Sequence, residues 1–196
     1  MAVVKADGYG HDAVFVSENA IRGGANQLGV ATLQEGIQLR SSGIDAPILI
    51  LGNIYSKKDL LICFKNNLVP TISDMKDCIL CDEIGLKYKK PFPLHLKIDT
   101  GMNRLGINLG DIKNVKNKRL FQNLSIKFIM SHLACAEDKN NNINKLQLKK
   151  FNEANLLLSN ITNKKIKSSL CNSSGIWLGK NYHFDIVRPG AAFLGI

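Results

Sequence analysis

No stretch of this chain is apolar for anything near the ~18–20 residues that a membrane span needs, and its first residues lack the basic-then-apolar order of a signal peptide. Both absences point to a cytoplasmic protein without a membrane partner. A cysteine framework is missing as well. Cys63, Cys78, Cys81, Cys135 and Cys171 are odd in number and widely spaced, whereas a disulfide-stapled scaffold carries an even, dense set. One pair forms CILC (78–81) in a stretch with helical spacing, and no second pair completes a zinc site. These two cysteines read as small apolar residues on a packed helix face, and no metal is expected. Linkers and internal repeats are also lacking, so 1–196 reads as a single domain or part of a larger protein.

Acidic residues are in short supply: 16 Asp and Glu stand against 26 Lys and Arg, for a net charge of +10. Clustered basic residues would serve to neutralise phosphates of a nucleic acid. Here the lysines are scattered among asparagines and isoleucines, as in KNNNINK (139–145) and KNVKNKR (113–119). That dispersal describes solvated faces, and no nucleic-acid partner is expected. Hydrophobic content of 45% and charged content of 21% are ordinary for a soluble globular protein.

What is present is a recurrence of short apolar, β-rich runs: AVVKA (2–6), QLGVAT (27–32), PILILG (47–52), LVPTIS (68–73), PLHLKID (93–99), IKFIMSHL (126–133), SSLCN (168–172) and FDIVRPG (184–190). Helical spacing fills most of the gaps. TLQEGIQLRSSG (32–43) opens on a Thr-x-x-Glu capping box and closes on Gly43. In 146–161, Phe151, Ala154, Leu158 and Ile161 fall at steps of three and four, while the Asn-rich 138–145 before it reads as a surface loop. Alternation of strand and helix predicts an α/β fold with a parallel sheet, and eight strands predict a (β/α)8 barrel of the TIM type. The chain opens inside the first strand and stops at FLGI without a final helix. An incomplete barrel, cut at both ends, is therefore expected, with Met1 marking a cut and not a start.

Barrel active sites assemble where the strands end at their C-terminal edge. That rule selects Lys5, the loop DTGMNRLG (99–106) with Arg104, His132, Asn172 with Ser173, and Arg188 with Gly190. A lysine, two arginines, a histidine and a glycine-flanked backbone suit a small anionic ligand. The loops after strands seven and eight, NSSG (172–175) and RPGAA (188–192), are the usual phosphate-binding places of this fold. Ser173 offers a hydroxyl, the first amides of a short helix after it offer N–H groups, and Gly190 admits an oxyanion close to the backbone. Lys5 then has a chemical use, since a lysine amine forms a Schiff base with pyridoxal phosphate. Tyr9, between Gly8 and Gly10, is placed to turn back toward the phosphate. In PLHLKID, His95, Lys97 and Asp99 alternate with Leu94, Leu96 and Ile98. Lys97 then points into the barrel near Arg104, and two cations there require Asp99 as a partner or a Lys97 modified to an anion.

VVKADGYGH, LKIDTGMNRLG, MSHLACAED, CNSSG and VRPGAAFLG, in that order, resemble the successive motifs of the alanine racemase N-terminal domain, from the first residue to the last. VKADGYGH and DTGMNRLG are the most specific of them. The resemblance implies a homodimeric, pyridoxal 5'-phosphate-dependent isomerase that interconverts L- and D-alanine for peptidoglycan. It implies that Lys5 holds the cofactor and moves the α-proton on one face, and that Arg104 binds the substrate carboxylate. Lys97 matches a lysine that is carbamylated in some members. His132 would lie against the cofactor ring, bonded to Arg188, and Arg188 would face the pyridine nitrogen. Tyr9, Ser173, Gly190 and Ala191 would bind the phosphate, the last two through backbone N–H groups, and Asn172 would also belong to the cofactor site. Gly8 departs from the family pattern, in which alanine is commoner. A C-terminal β-domain, which in the family supplies a catalytic tyrosine to the partner subunit's site, does not follow Ile196. Three alternatives stand beside this reading: a racemase of another small amino acid, a single-domain pyridoxal-phosphate-handling protein without catalysis, and an inert fragment.

Overall fold

The computed structural model describes residues 1–54, 56–115 and 121–195. The class is α/β, an incomplete (β/α)8 barrel of the TIM type, and the chain divides into two compact units. One is Met1–Thr71 with Arg188–Ile196, and the other is Ile72–Val187. Residues 116–119 of the KNVKNKR run lie outside the described residues.

In the first unit β1 (Ala2–Val3), β2 (Leu28–Val30), β3 (Ile48–Ile50) and residues 68–71 of β4 (Leu68–Ile72) follow in sequence order, each strand pairing in parallel with the next. Every residue of β1, β2 and β3 is buried. Both faces of these strands are covered, which is why they read as continuous apolar runs and not as alternating ones. The connecting helices are α2 (Ala13–Arg22), α3 (Leu33–Ser41) and α4 (Lys57–Lys65). The Thr-x-x-Glu box expected at 32–35 is formed: Thr32 Oγ1 accepts the Glu35 N–H at 3.2 Å and Glu35 Oε2 accepts the Thr32 N–H at 2.9 Å. Together these satisfy two donors that a helix start leaves open.

The second unit pairs β5 (Phe92–Lys97), β6 (Leu124–Met130) and β7 (Lys167–Ser169), again in parallel and in order. Its register shifts between Leu94 and His95, where β6 accommodates the extra, exposed Lys127. The helices are α5 (Met75–Lys87), α6 (Leu109–Lys113) and α7 (Asn142–Thr162). Cys78 and Cys81 of CILC sit fully buried on α5.

Three expectations need correction. The Asn-rich segment is a loop only to Asn141, whose side chain caps α7 by accepting the Ile143 N–H at 3.0 Å; residues 142–145 are helical. Asparagine favours helix starts through this bond, so a polar run is a start signal as much as a loop signal. The first strand ends at Val3, and Lys5 opens a separate segment, α1 (Lys5–Gly10). The eighth run, 184–190, forms no ladder. Phe184 is left-handed at φ 54, and Pro189 has no N–H to donate. The run is tied instead by single bonds. In the second unit Asp185 exchanges two with Ser168 and Ile186 O accepts from Ser169 Oγ; in the first Pro189 O accepts the Val3 N–H at 2.9 Å.

Candidate active site

In the first unit the site begins with α1, which is helical in name but turns the wrong way. Ala6, Asp7, Gly8 and Tyr9 have φ of 50, 53, 62 and 56, a left-handed turn directly after Lys5. L-residues avoid this region by roughly 1–2 kcal/mol each, so neighbouring bonds must hold the turn. Asp7 Oδ1 accepts the Ala13 N–H at 2.9 Å, and the Gly8 N–H donates to Val4 O at 3.0 Å. His11 Nδ1 lies 3.1 Å from Tyr9 O and 3.3 Å from Gly8 O, so that nitrogen carries the proton. Gly8 is also sterically confined: a methyl there would meet Val16 Cγ2 at 3.1 Å and Ala13 Cα at 3.3 Å.

The turn sets two side chains. The half-buried Lys5 places Nζ 5.9 Å from the centre of the Tyr9 ring. Tyr9 runs on to the backbone of Gly190, where an added methyl would come within 2.9 Å of Tyr9 Cζ and nearer still to its hydroxyl. Burial raises the Tyr9 pKa, which keeps the phenol protonated and able to donate. Arg188, two residues before Gly190, is only 4% exposed, and Ala191 opens the short α8 (Ala191–Leu194). An amine, a phenol donor and an open backbone thus stand together in one unit.

The second unit carries the rest. Lys97 ends β5 at 6% exposure, among buried Leu94, His95, Leu96 and Ile98. The following loop doubles back on itself: the Ile107 N–H donates to Lys97 O at 2.8 Å, and the Asp99 N–H to Ile107 O at 3.1 Å. Gly106 makes this possible, since its φ is 140 and a methyl would fall 2.9 Å from Asp99 Cα. Asp99 Oδ1 accepts the Gly101 and Asn103 N–H groups at 2.9 and 3.1 Å, shaping the loop that holds Arg104 exposed near its tip. Asp99, weighed above as an ion partner, thus has its Oδ1 engaged with backbone.

His132 follows β6, and Asn172 Nδ2 lies 3.4 Å from its Nε2. The Asn172 Oδ1 accepts the Gly175 N–H at 2.9 Å. Asn172 therefore occupies one of the amides expected to be open to a phosphate and acts as a local cap; Ser173 stands beside it at the start of a 3-10 turn (Ser174–Leu178). Sequence reading missed two further residues. Gln147 on α7 donates to His132 O at 2.9 Å and to Thr100 Oγ1 at 3.1 Å, and accepts the Ala134 N–H at 2.9 Å. Glu35 was read only as a cap, yet its Oε1 also accepts the Ala6 N–H at 2.8 Å. Neither spacing has a local sequence signal.

The family model described as "Alanine racemase, N-terminal domain" matches residues 1–196. An alanine racemase of Prochlorococcus marinus is 44% identical over 202 residues, spanning all of this chain and 52% of that protein. One of Rickettsia canadensis is 39% identical, over all of this chain and 54% of the relative. Among solved structures, the alanine racemase of Bartonella henselae with covalently bound pyridoxal phosphate superposes with a TM-score of 0.91 at 31% identity, over all of this chain and 56% of that one. The chain spans about half the length of the relatives it matches.

Proposed function

The chain belongs to the alanine racemase N-terminal domain family, and we propose that it is the cofactor-binding part of a pyridoxal 5'-phosphate-dependent alanine racemase, with 1–196 as one barrel domain. The observation that carries this reading is the meeting of Lys5, Tyr9 and Gly190. The open backbone at Gly190 is a place where a side chain is excluded and a donor phenol is delivered, which suits a phosphate oxygen. The Lys5 amine nearby suits the aldehyde of the same molecule. These residues fit the cofactor, so Lys5 would hold it covalently and Tyr9 Oη, Ser173 Oγ and the Gly190 and Ala191 N–H groups would bind its phosphate. Asn172 contributes by fixing the turn that presents Ser173. The cofactor, when bound, supplies an electron sink for the α-carbon.

The remaining steps fall to side chains. Arg104 would bind the carboxylate of alanine. Lys5 Nζ, freed when the substrate's amine takes its place, would remove or return the α-proton on one face. With the cofactor bound, His132 would pack against its ring and Arg188 would face its pyridine nitrogen; a guanidinium has no lone pair to accept a proton, so the ring would stay a weaker sink and side reactions would be limited. Lys97 is the buried amine on which carbamylation would create an anion to pair with Arg104. We place the protein in the cytoplasm and its full-length form in a homodimer supplying D-alanine for peptidoglycan. No helix among the described residues is long and apolar enough to cross a membrane.

Purified protein mixed with pyridoxal 5'-phosphate should develop a visible absorption band that Lys5→Ala abolishes, and should exchange the α-proton of alanine in D2O. Absence of the band in the unsubstituted protein refutes the reading. A band without exchange favours a non-catalytic cofactor-handling protein.

A further inference from the structure

Glu35 has two occupations, one local and one distant. Its Oε2 accepts the Ala31 N–H at 2.6 Å and the Thr32 N–H at 2.9 Å, which completes the start of α3. Its Oε1 reaches across 29 positions of sequence to accept the Ala6 N–H at 2.8 Å. Ala6 is the residue after Lys5 and the first of the four left-handed residues that lead to Tyr9. A left-handed run of L-residues does not persist by its own preference, so the bond that anchors its first amide governs whether Lys5 and Tyr9 keep their relative placement. A carboxylate accepting an N–H is the stronger kind of hydrogen bond, and both oxygens here are engaged.

We propose that Glu35 is a positioning residue for the cofactor site: through Ala6 it holds the turn that aims Lys5 Nζ and Tyr9 Oη at the same ligand. This deepens the assignment of Lys5 and Tyr9 made above and rests on it. The helix-capping duty and the positioning duty separate experimentally, because Thr32→Ala removes the hydroxyl half of the capping box and leaves the Ala6 bond in place. Glu35→Ala removes both. Glu35→Gln retains one oxygen, too few to serve Ala6 and the Ala31–Thr32 pair together.

The test measures three quantities for the unsubstituted protein and each variant. They are the affinity for pyridoxal 5'-phosphate from its visible band with the pH midpoint of that band, the melting temperature, and amide hydrogen exchange at residues 6–9 without cofactor. Glu35→Ala should weaken cofactor binding roughly ten- to hundredfold, the scale of one lost charge-assisted bond, shift the band's pH midpoint and speed exchange at residues 6–9. Thr32→Ala should lower the melting temperature with affinity unchanged within about twofold. Glu35→Gln should fall between them, and it carries the comparison if Glu35→Ala does not fold. Equal losses of affinity in Thr32→Ala and Glu35→Ala, or unchanged affinity and exchange in the Glu35 variants, overturn the proposal. If the unsubstituted protein shows no band, the cofactor reading itself fails, and the exchange measurement alone still decides whether Glu35 holds the turn.

Discussion

Replacing Gly190 by alanine tests the geometry on which the cofactor assignment rests. The backbone at Gly190 has φ −123 and ψ −89, so comparing two backgrounds separates the overlap with Tyr9 from any cost of the backbone itself. The new methyl would lie 2.9 Å from Tyr9 Cζ and 3.3 Å from Tyr9 Cε2, and closer still to the hydroxyl. Ordinary carbon contacts are about 3.5–4.0 Å, so the ring must retreat by roughly 1 Å. Overpacking of this kind costs about 1–3 kcal/mol. In a chain of this size that lowers the melting temperature by about 2–4 °C per kcal/mol. The assay is a double-mutant cycle in urea with Gly190→Ala, Tyr9→Ala and both. Tyr9→Ala removes the colliding ring, so Gly190→Ala should cost about 1–3 kcal/mol more with tyrosine present than with alanine. The coupling energy should exceed about 1 kcal/mol, well beyond the scatter of independent sites. An equal cost in both backgrounds would refute the contact, and with it the argument that Tyr9 and Gly190 share one ligand atom.

Two further outcomes follow from buried groups. Gln147→Leu removes the acceptor of the Ala134 N–H and the donor to Thr100 and His132 O, so it should cost about 2–4 kcal/mol in urea unfolding because buried partners are left unpaired; a loss under about 0.5 kcal/mol would show that the tie is not needed. Burial pushes the Cys63 and Cys78 thiols from 9.0 up to about 12. The unfolded chain ionises them from pH 9 while the folded chain keeps them neutral, so stability is full below pH 9 and is lost as pH rises toward 12, by about 1.4 kcal/mol per thiol per unit. Urea midpoints at pH 8, 9.5 and 10.5 read this slope. Cys63→Ala with Cys78→Ala should flatten it, and a flat profile in the unsubstituted chain would contradict the burial argument.

The parts of this molecule that sequence made legible are those written within a few residues of one another. Thr32 and Glu35 announce a capping box because the box closes over three positions. The β-runs announce a parallel sheet because a strand covered on both faces has to be apolar throughout. The eighth run misled for the same reason: FDIVRPG has strand composition, but Phe184 turns left-handed and Pro189 withholds a donor, so local composition and pairing part company. The proposed site residues Lys5, Arg104, His132 and Arg188 were reached through strand ends and motif order. Asn172, expected at the cofactor, also has a local task that spacing did not show, since its Oδ1 accepts the Gly175 N–H.

Long-range ties are the class that stayed hidden. Glu35 to Ala6 and Gln147 to Thr100 span 29 and 47 positions, and no periodicity encodes either. Both have the same logic. A residue on a regular helix, whose own position is secured by packing and capping, extends an amide or carboxylate to an irregular loop that has no ladder to hold it. Gln147 does this for the loop carrying His132, and Glu35 for the left-handed turn carrying Lys5 and Tyr9. The loops can then adopt conformations that their residues would not choose, because the cost is offset by bonds from elements that fold without them. On this account the polar helix residues that look dispensable by pattern set the precision of the site, and substitutions there should change the ligand's behaviour as well as the stability of the fold.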